Sequence, residues 1–329
     1  MLSDKERANY ENIVRALYLG VLGREPDKVG FEHFMELLCD RAADIADVAA
    51  MFFNCAEHRA ALSAAKGLFV GRWIDQRALD VETTAAASDL ERMLNGIAEK
   101  WRAFGENEPH WSVLVSEDFL QKNLGTNVEK FYATGHPDVQ RVLAALERSG
   151  VDLGSIGTAL DYGCGVGRLS LALASHFDHV LGIDISAAHV RVAQEQAAKT
   201  GAGNVEFRTI SSIGEIKDLP KADLVVSIIV LQHNPPPVMA EIFRNILKLL
   251  NPSGIAFVQM PTFIEGYSFR VSEYLEGGKV DMEMNCLPQR DIFRILWEEN
   301  CLPLEVREDG SIGDFPGLSH TFLIQKQAE

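Results

Sequence analysis

The apolar positions of this chain change their period near its middle. From residue 5 to 66 they recur every three or four residues. Ile13, Leu17 and Val21 share one helical face with Val14 and Leu22 beside it, and the pattern stops at Gly23. Phe31, Phe34 and Met35 begin a second helix after a Pro26-Asp27 turn, and Asp44 is a suitable N-cap for a third carrying Ile45, Val48, Met51 and Phe52. Residues 67–85 show no period and read as a linker. Leu90, Met93, Leu94, Ile97, Ala98 and Trp101 then mark an amphipathic helix that ends near Gly105 and packs by default on the following domain, the alternative being a second subunit.

From Gly157 short apolar runs alternate with helical spacing. The runs predict strands at 157–162, 179–184, 204–209, 223–230 and 254–260, with helices at about 168–177, 187–199 and 235–250. Such alternation implies a parallel sheet covered on both faces, an α/β fold of the Rossmann-like kind. The tail differs. It reads as a short strand over 279–285, a helix from Pro288 through Asn300, and an antiparallel pair at 303–308 and 319–326 that closes the sheet. The expected division is a helical module over 1–66, linker and lid helices over 67–150, and a cofactor-binding domain over 151–329.

A length of 329 residues with 47% hydrophobic residues gives room for two domains and a large core. The net charge of −16 makes DNA or bulk RNA an improbable partner, because phosphate backbones would be repelled. Cys39, Cys55, Cys164, Cys286 and Cys301 are scattered and never in C-x-x-C spacing, which suits reduced thiols in a cytoplasmic protein. The start of the chain has no apolar signal region, and no apolar run approaches the length of a membrane span. The histidines show no ligand spacing, so a metal is not expected. No residue pattern assigns an oligomeric state.

The chemistry concentrates in TALDYGCGVGRLSLALA, residues 158–174. A strand ends on Asp161, three glycines follow at Gly163, Gly165 and Gly167, and a helix begins. Asp184 in VLGIDIS stands at the next strand end, where a carboxylate can accept both hydroxyls of a ribose. Glycines here would let backbone N–H groups approach a ligand. A dinucleotide fingerprint wants a third small residue where Arg168 stands, so a nicotinamide oxidoreductase is disfavoured. An acid two residues before the first glycine suits a ligand carrying an ammonium.

Asp161-x-Gly163-x-Gly165-x-Gly167 resembles motif I of the class I S-adenosylmethionine-dependent methyltransferases. The likeness continues through Asp184, DLVVSIIVLQH at 223–233 and LLNPSGIAFVQM at 249–260. It implies a seven-stranded sheet, with S-adenosylmethionine as cofactor. By resemblance, Asp161 and the loop Gly163–Gly167, Cys164 included, lie against the methionine portion, Asp184 takes the ribose hydroxyls and Ile185 packs on the adenine. Many family members carry an acid after the third strand to hold the adenine amine; this chain reads RTISSIG there, where Ser211, Ser212 or a backbone group would take its place. His233 in VLQHNPP would face the transferable methyl as a general base or shape the pocket, with Gln232 beside it against the cofactor. The run Asn234-Pro235-Pro236-Pro237 lies past the strand end and lacks the terminal aromatic of nucleic-acid amino-methyltransferases, so it reads as a helix start. Phe263 and Tyr267 follow the fifth strand, on the acceptor side.

Upstream, GENEPHWSVL (105–114) and FYATG (131–135) are similar to strings that precede motif I in a bacterial methyltransferase group resembling this chain from about Leu90 onward. That likeness implies a lid in which Trp111 and Tyr132 close over the pocket, or aromatics that cap the sheet. Near the N-terminus, ALYLGVLGREPDKVGFEHF resembles a small helical bacterial module of unassigned function, found in secreted, surface-layer and glycan-associated proteins. Arg24 and Asp27 of its L-G-R-x-P-D-x-x-G core would hold the inter-helix turn or bind a ligand. Together these features imply methyl transfer to a small molecule or glycan, within bacterial surface-polysaccharide metabolism. The alternative is a cofactor-binding but inactive domain with a recruiting helical part.

Overall fold

The computed structural model describes residues 4–22, 24–55, 57, 78–277, 282–313 and 315–328. They fall into two compact units, Met1–Ala78 and Leu79–Glu329.

The first unit is helical: α1 (Asp4–Leu17) runs into a π-helical turn (Tyr18–Leu22), then α2 (Lys28–Cys39) and α3 (Ile45–Asn54) follow. Val14, Tyr18, Met35, Leu38, Val48 and Phe52 form its core. The turn is held much as its polar residues suggest. Arg24 donates to Asp27 at 3.3 Å and to both carboxylate oxygens of Glu57. Asp27 caps α2 by accepting from the Gly30 N–H at 2.9 Å. Gly30 is closely packed: a Cβ there would lie 2.0 Å from the Tyr18 hydroxyl, which would have to shift. Asp44 caps α3 in a reciprocal box with Asp47. Gly23 and residues 58–66 lie outside the described residues.

The second unit opens with α4 (Ala87–Asn107), α5 (Val128–Ala133) and α6 (Gly135–Arg148). It then alternates β1 (Thr158–Tyr162), α7 (Arg168–Leu173), β2 (His179–Asp184), α8 (Ala187–Thr200), β3 (Val205–Thr209), β4 (Ala222–Ser227), α9 (Pro236–Lys248) and β5 (Leu250–Ile264). A short helix α10 (Val271–Glu276), then α11 (Gln289–Glu298), β6 (Cys301–Glu308) and β7 (Gly317–Lys326) complete it. The seven strands lie in the order β3-β2-β1-β4-β5-β7-β6, parallel except for β7, which is antiparallel to both neighbours. The expected mostly parallel, seven-stranded Rossmann-like sheet is therefore present.

The central strands β1, β4 and β5 are largely continuous apolar runs because both faces are buried, whereas the edge strands β3 and β6 are mostly exposed. Leu160, Val225, Ala256 and Val258 face one layer, packed with Leu94 and Ile97 of α4, Phe243 and Ile246 of α9, and Ile292 and Ile295 of α11. Their neighbours Ala159, Leu224, Val226, Ile255 and Phe257 face the other, against Val142 and Leu146 of α6 and Leu173 of α7.

Several boundaries differ from the expectation. Strand β4 stops at Ser227 rather than residue 230, because Ile229 turns the chain with φ +58. Strand β5 continues to Ile264, since β7 pairs with it as far as Gly317. Residues 282–285 form no strand, and 279–281 lie outside the described residues. The end of the stretch read as linker belongs to the second unit: Asp80–Val81 pairs with Ser268–Phe269, and Asp80 forms an ion pair with Arg270.

A fragment beginning at Leu79 is expected to unfold in one cooperative thermal transition, because among the described residues its two core layers draw on none before Leu79. Calorimetric melts of residues 79–329 beside the full chain check this. A soluble fragment without a cooperative transition would contradict it.

Candidate active site

The glycine loop is stitched to the end of β2. The N–H groups of Gly163 and Cys164 both donate to the Ile183 carbonyl, at 2.8 and 2.9 Å. The Gly165 N–H donates to Asp184 Oδ2 at 2.9 Å, while Asp184 Oδ1 accepts from the Ser186 N–H at 2.8 Å. These N–H groups therefore hold the loop itself rather than waiting for an anionic ligand. Glycine is needed for conformation and space: at Gly165, φ is +52 and a Cβ would lie 2.6 Å from Val113.

Around this loop lies a cavity of about 480 Å³. Its floor carries Asp161, Gly163, Cys164, Gly165 and Asp184, with Ile185 beyond. Asp161 is 2% exposed and accepts from the Ser170 hydroxyl at 2.5 Å. Burial raises its carboxyl to about 6, against the opposing pull of the Ser170 bond and the Arg168 guanidinium. Burial also pushes the Cys164 thiol well above its ordinary range, so it stands as a neutral filler of the loop. Arg168 has a structural partner set: it donates to the Thr134 carbonyl at 2.9 Å and pairs with Asp138 at 2.5 Å.

Much of the wall comes from upstream of the sheet. Leu94, Ile97 and Trp101 of α4 line it, and so do Ser112, Val113, Leu114 and Val115. Ser112 Oγ lies 2.9 Å from His189 Nε2 and ties this segment to α8. The far wall holds Ile229, Val230, Gln232, His233, Met282, Glu283, Met284 and Phe315. His233 Nδ1 is 2.8 Å from the Glu283 carbonyl, and its ring centre is 5.3 Å from that of Trp101. A carbonyl can only accept, so Nδ1 carries the hydrogen and Nε2 keeps its lone pair. Burial lowers the His233 pKa below the ordinary value, outweighing the Glu283 carbonyl.

Not every expected residue lines the cavity. Trp111 does not: its ring lies 6.3 Å from that of Phe104, while the next four residues form the wall. Tyr132 is behind the glycine loop, donating to the Val166 carbonyl at 3.2 Å. Gly167 starts α7 at φ +83 against Phe207, away from the cavity. Ser211 and Ser212 sit outside the lining and bond to Glu215, while Ile210 of the same string reaches the cavity. Phe263 and Tyr267 also lie outside it; Tyr267 donates to Asn285 at 2.6 Å. Conversely, Ser112–Val115, His189, Ile229 and Glu283 were not singled out by sequence. Leu94, Ile97 and Trp101 did carry a readable signal on the apolar face of a predicted helix, and Ser112–Leu114 lay within the string read as a lid.

Residues 154–299 match a family model described as a methyltransferase domain. Residues 154–299 thus carry a methyltransferase domain. The chain is also similar, at 36% identity over 100 residues, to a ubiquinone biosynthesis O-methyltransferase of Leptothrix cholodnii, covering 30% of this chain and 42% of that one. A relative of the same name from Pseudomonas fluorescens is 35% identical over 99 residues, covering 30% and 41%. The chain thus spans about two fifths of the length of the curated relatives it matches. The fold is like that of a magnesium protoporphyrin IX methyltransferase from Synechocystis with bound SAH, at 21% identity and a TM-score of 0.50, covering 70% of this chain and 98% of that one.

S-adenosylmethionine is the cofactor of such domains, and the methyltransferase cavity fits it on its own chemistry. The floor offers two carboxylates, Asp161 and Asp184, and no unengaged N–H from Gly163 to Gly165. That suits a cationic ligand with ribose hydroxyls better than a pyrophosphate.

The raised Asp161 pKa gives a signed expectation. Between the ordinary 3.8 and about 6 the folded chain holds a proton that the unfolded chain has lost, so Asp161 costs stability as pH rises through that window. A cationic ligand favours the carboxylate. Affinity for S-adenosylmethionine is therefore expected to fall as pH drops below about 6, and Asp161→Asn is expected to raise Tm at pH 7 while removing that pH step. Calorimetric titrations at pH 5 to 7 with both proteins check it. An equal pH step in both would contradict the assignment.

Proposed function

We propose that the chain transfers a methyl group from S-adenosylmethionine to a hydroxyl of an uncharged, largely apolar small molecule. The observation that carries this reading is His233, a neutral-tending imidazole in the cavity wall whose Nδ1 is bonded to the Glu283 carbonyl. Bound S-adenosylmethionine supplies an electrophilic methyl group. Asp161 would balance its positive end, Asp184 would accept from its ribose, and Ile185 and Ile210 would pack on its adenine. His233 Nε2 would take the proton of the attacking hydroxyl. Ser112–Val115, Trp101 and Phe315 would hold the acceptor in line and exclude water. The O-methyltransferase names of the relatives agree with an oxygen acceptor.

The wall argues for the acceptor's class. Among the described lining residues the permanent cation is Arg168, which is engaged by Asp138. A phosphorylated or nucleotide-linked acceptor would meet no counter-charge there. The surrounding Leu94, Ile97, Trp101, Val115, Ile229, Met282 and Met284 favour an apolar body over a polar glycan. The surface-polysaccharide role suggested by the N-terminal module draws no support from this lining.

The test begins with a panel of neutral phenols and alcohols, with sugar phosphates as controls, followed by release of the demethylated cofactor. Methylation of the phosphates alone would contradict the reading. On an acceptor so found, His233→Ala is expected to lower kcat by about 10²–10⁴-fold with cofactor affinity nearly unchanged. The rate should fall with decreasing pH along a limb below the ordinary histidine value, since only the neutral ring is a base. A variant within tenfold of the wild-type kcat would remove His233 from the mechanism.

A further inference from the structure

His233 is oriented by a carbonyl on a segment with no regular structure of its own, residues 282–287. That segment is pinned at one buried point. Glu283 Oε1 pairs with Lys100 of α4 at 2.5 Å and accepts from the Tyr274 hydroxyl at 2.8 Å, while Oε2 accepts from Asn285 at 3.2 Å. Asn285 in turn accepts from Tyr267 at 2.6 Å and donates its backbone N–H to the Gln232 carbonyl at 2.8 Å. The Lys100 and Glu283 side chains are 13% and 9% exposed. A pair so buried is a poor source of stability, because desolvation offsets its attraction. Its members converge instead on the one carbonyl that sets the His233 tautomer.

We infer that Glu283 is a positioning residue for methyl transfer, anchored by Lys100 and Tyr274 so that its carbonyl holds His233 as the Nδ1–H tautomer with Nε2 free toward the acceptor. The inference rests on His233 acting as the base. It assigns Tyr267 and Asn285 to the same anchor, and it gives α4 a part in the chemistry beyond lining the cavity. Without the anchor the 282–287 segment keeps its peptide groups but not their place, and the imidazole is free to present an N–H where a lone pair is needed.

The test uses the full chain. Long-range proton–nitrogen NMR correlations of His233, assigned by comparison with His233→Ala, are expected to show a protonated Nδ1 and an unprotonated Nε2 in the wild type without any acceptor. Replacing both charges together, Lys100→Met with Glu283→Met, avoids leaving either one buried alone. It should convert His233 to a tautomer mixture and lower kcat by about 10–100-fold, with cofactor affinity unchanged. Tyr274→Phe, which removes one bond and keeps the pair, should act in the same direction to a smaller extent and covers the case in which the double variant fails to fold. In a His233→Ala background neither change should lower kcat further. A wild-type Nε2–H tautomer, an unaltered tautomer in the variants, or an equal rate loss without His233 would each overturn the proposal. An inactive role for His233 itself would show separately, as a small effect of His233→Ala beside an intact Nδ1–H signal.

Discussion

The site depends on the junction between the glycine loop and the end of β2. Two N–H groups of the loop converge on the Ile183 carbonyl, and a third is bound by Asp184. This contact fixes where the loop turns, where α7 starts and how both carboxylates reach the cavity floor. It also determines ligand charge. A loop whose N–H groups are already donated presents acceptors rather than donors, and acceptors recruit a cation. The loop of a dinucleotide site works the other way, offering N–H groups to a pyrophosphate.

From that junction the rest of the unit follows in layers. Tyr132, Thr134 and Asp138 brace the loop from behind through Val166 and Arg168. Gly135 permits this close approach, since a Cβ there would lie 2.3 Å from the Arg168 carbonyl. Helix α4 and the segment 112–115 build the wall in front, although they precede the matched domain at 154–299. Beyond β4, Ile229 takes a left-handed turn, its N–H donating to the buried Gln259 at 2.8 Å. A β-branched residue in that conformation is strained, and the strain lies in the cavity wall.

The sheet was readable because buried parallel strands are long apolar runs; β2 begins and ends where its run does. The end of β4 was not, since nothing in VVSIIV marks Ile229 as the turning residue. Asp161, Gly163, Gly165, Asp184 and His233 were readable as lining of one cavity, because acids and a histidine at successive strand ends beside a glycine turn stand out from the apolar runs around them. The front wall was readable in part: the apolar face of α4 and the string 105–114 were marked, but within that string the eye goes to Trp111, which lies against Phe104, rather than to the apolar Val113 and Leu114 that line the cavity. Glu283 was hidden for a different reason, because it reaches His233 through a backbone carbonyl that any residue possesses.

The claim that the cavity floor is built for a cation with ribose hydroxyls is tested most directly by titration calorimetry of the full chain with S-adenosylmethionine, its demethylated product and NAD. Saturable binding of the first two at one site per chain, with no useful affinity for NAD, is the predicted result. Tighter binding of NAD than of either would contradict it.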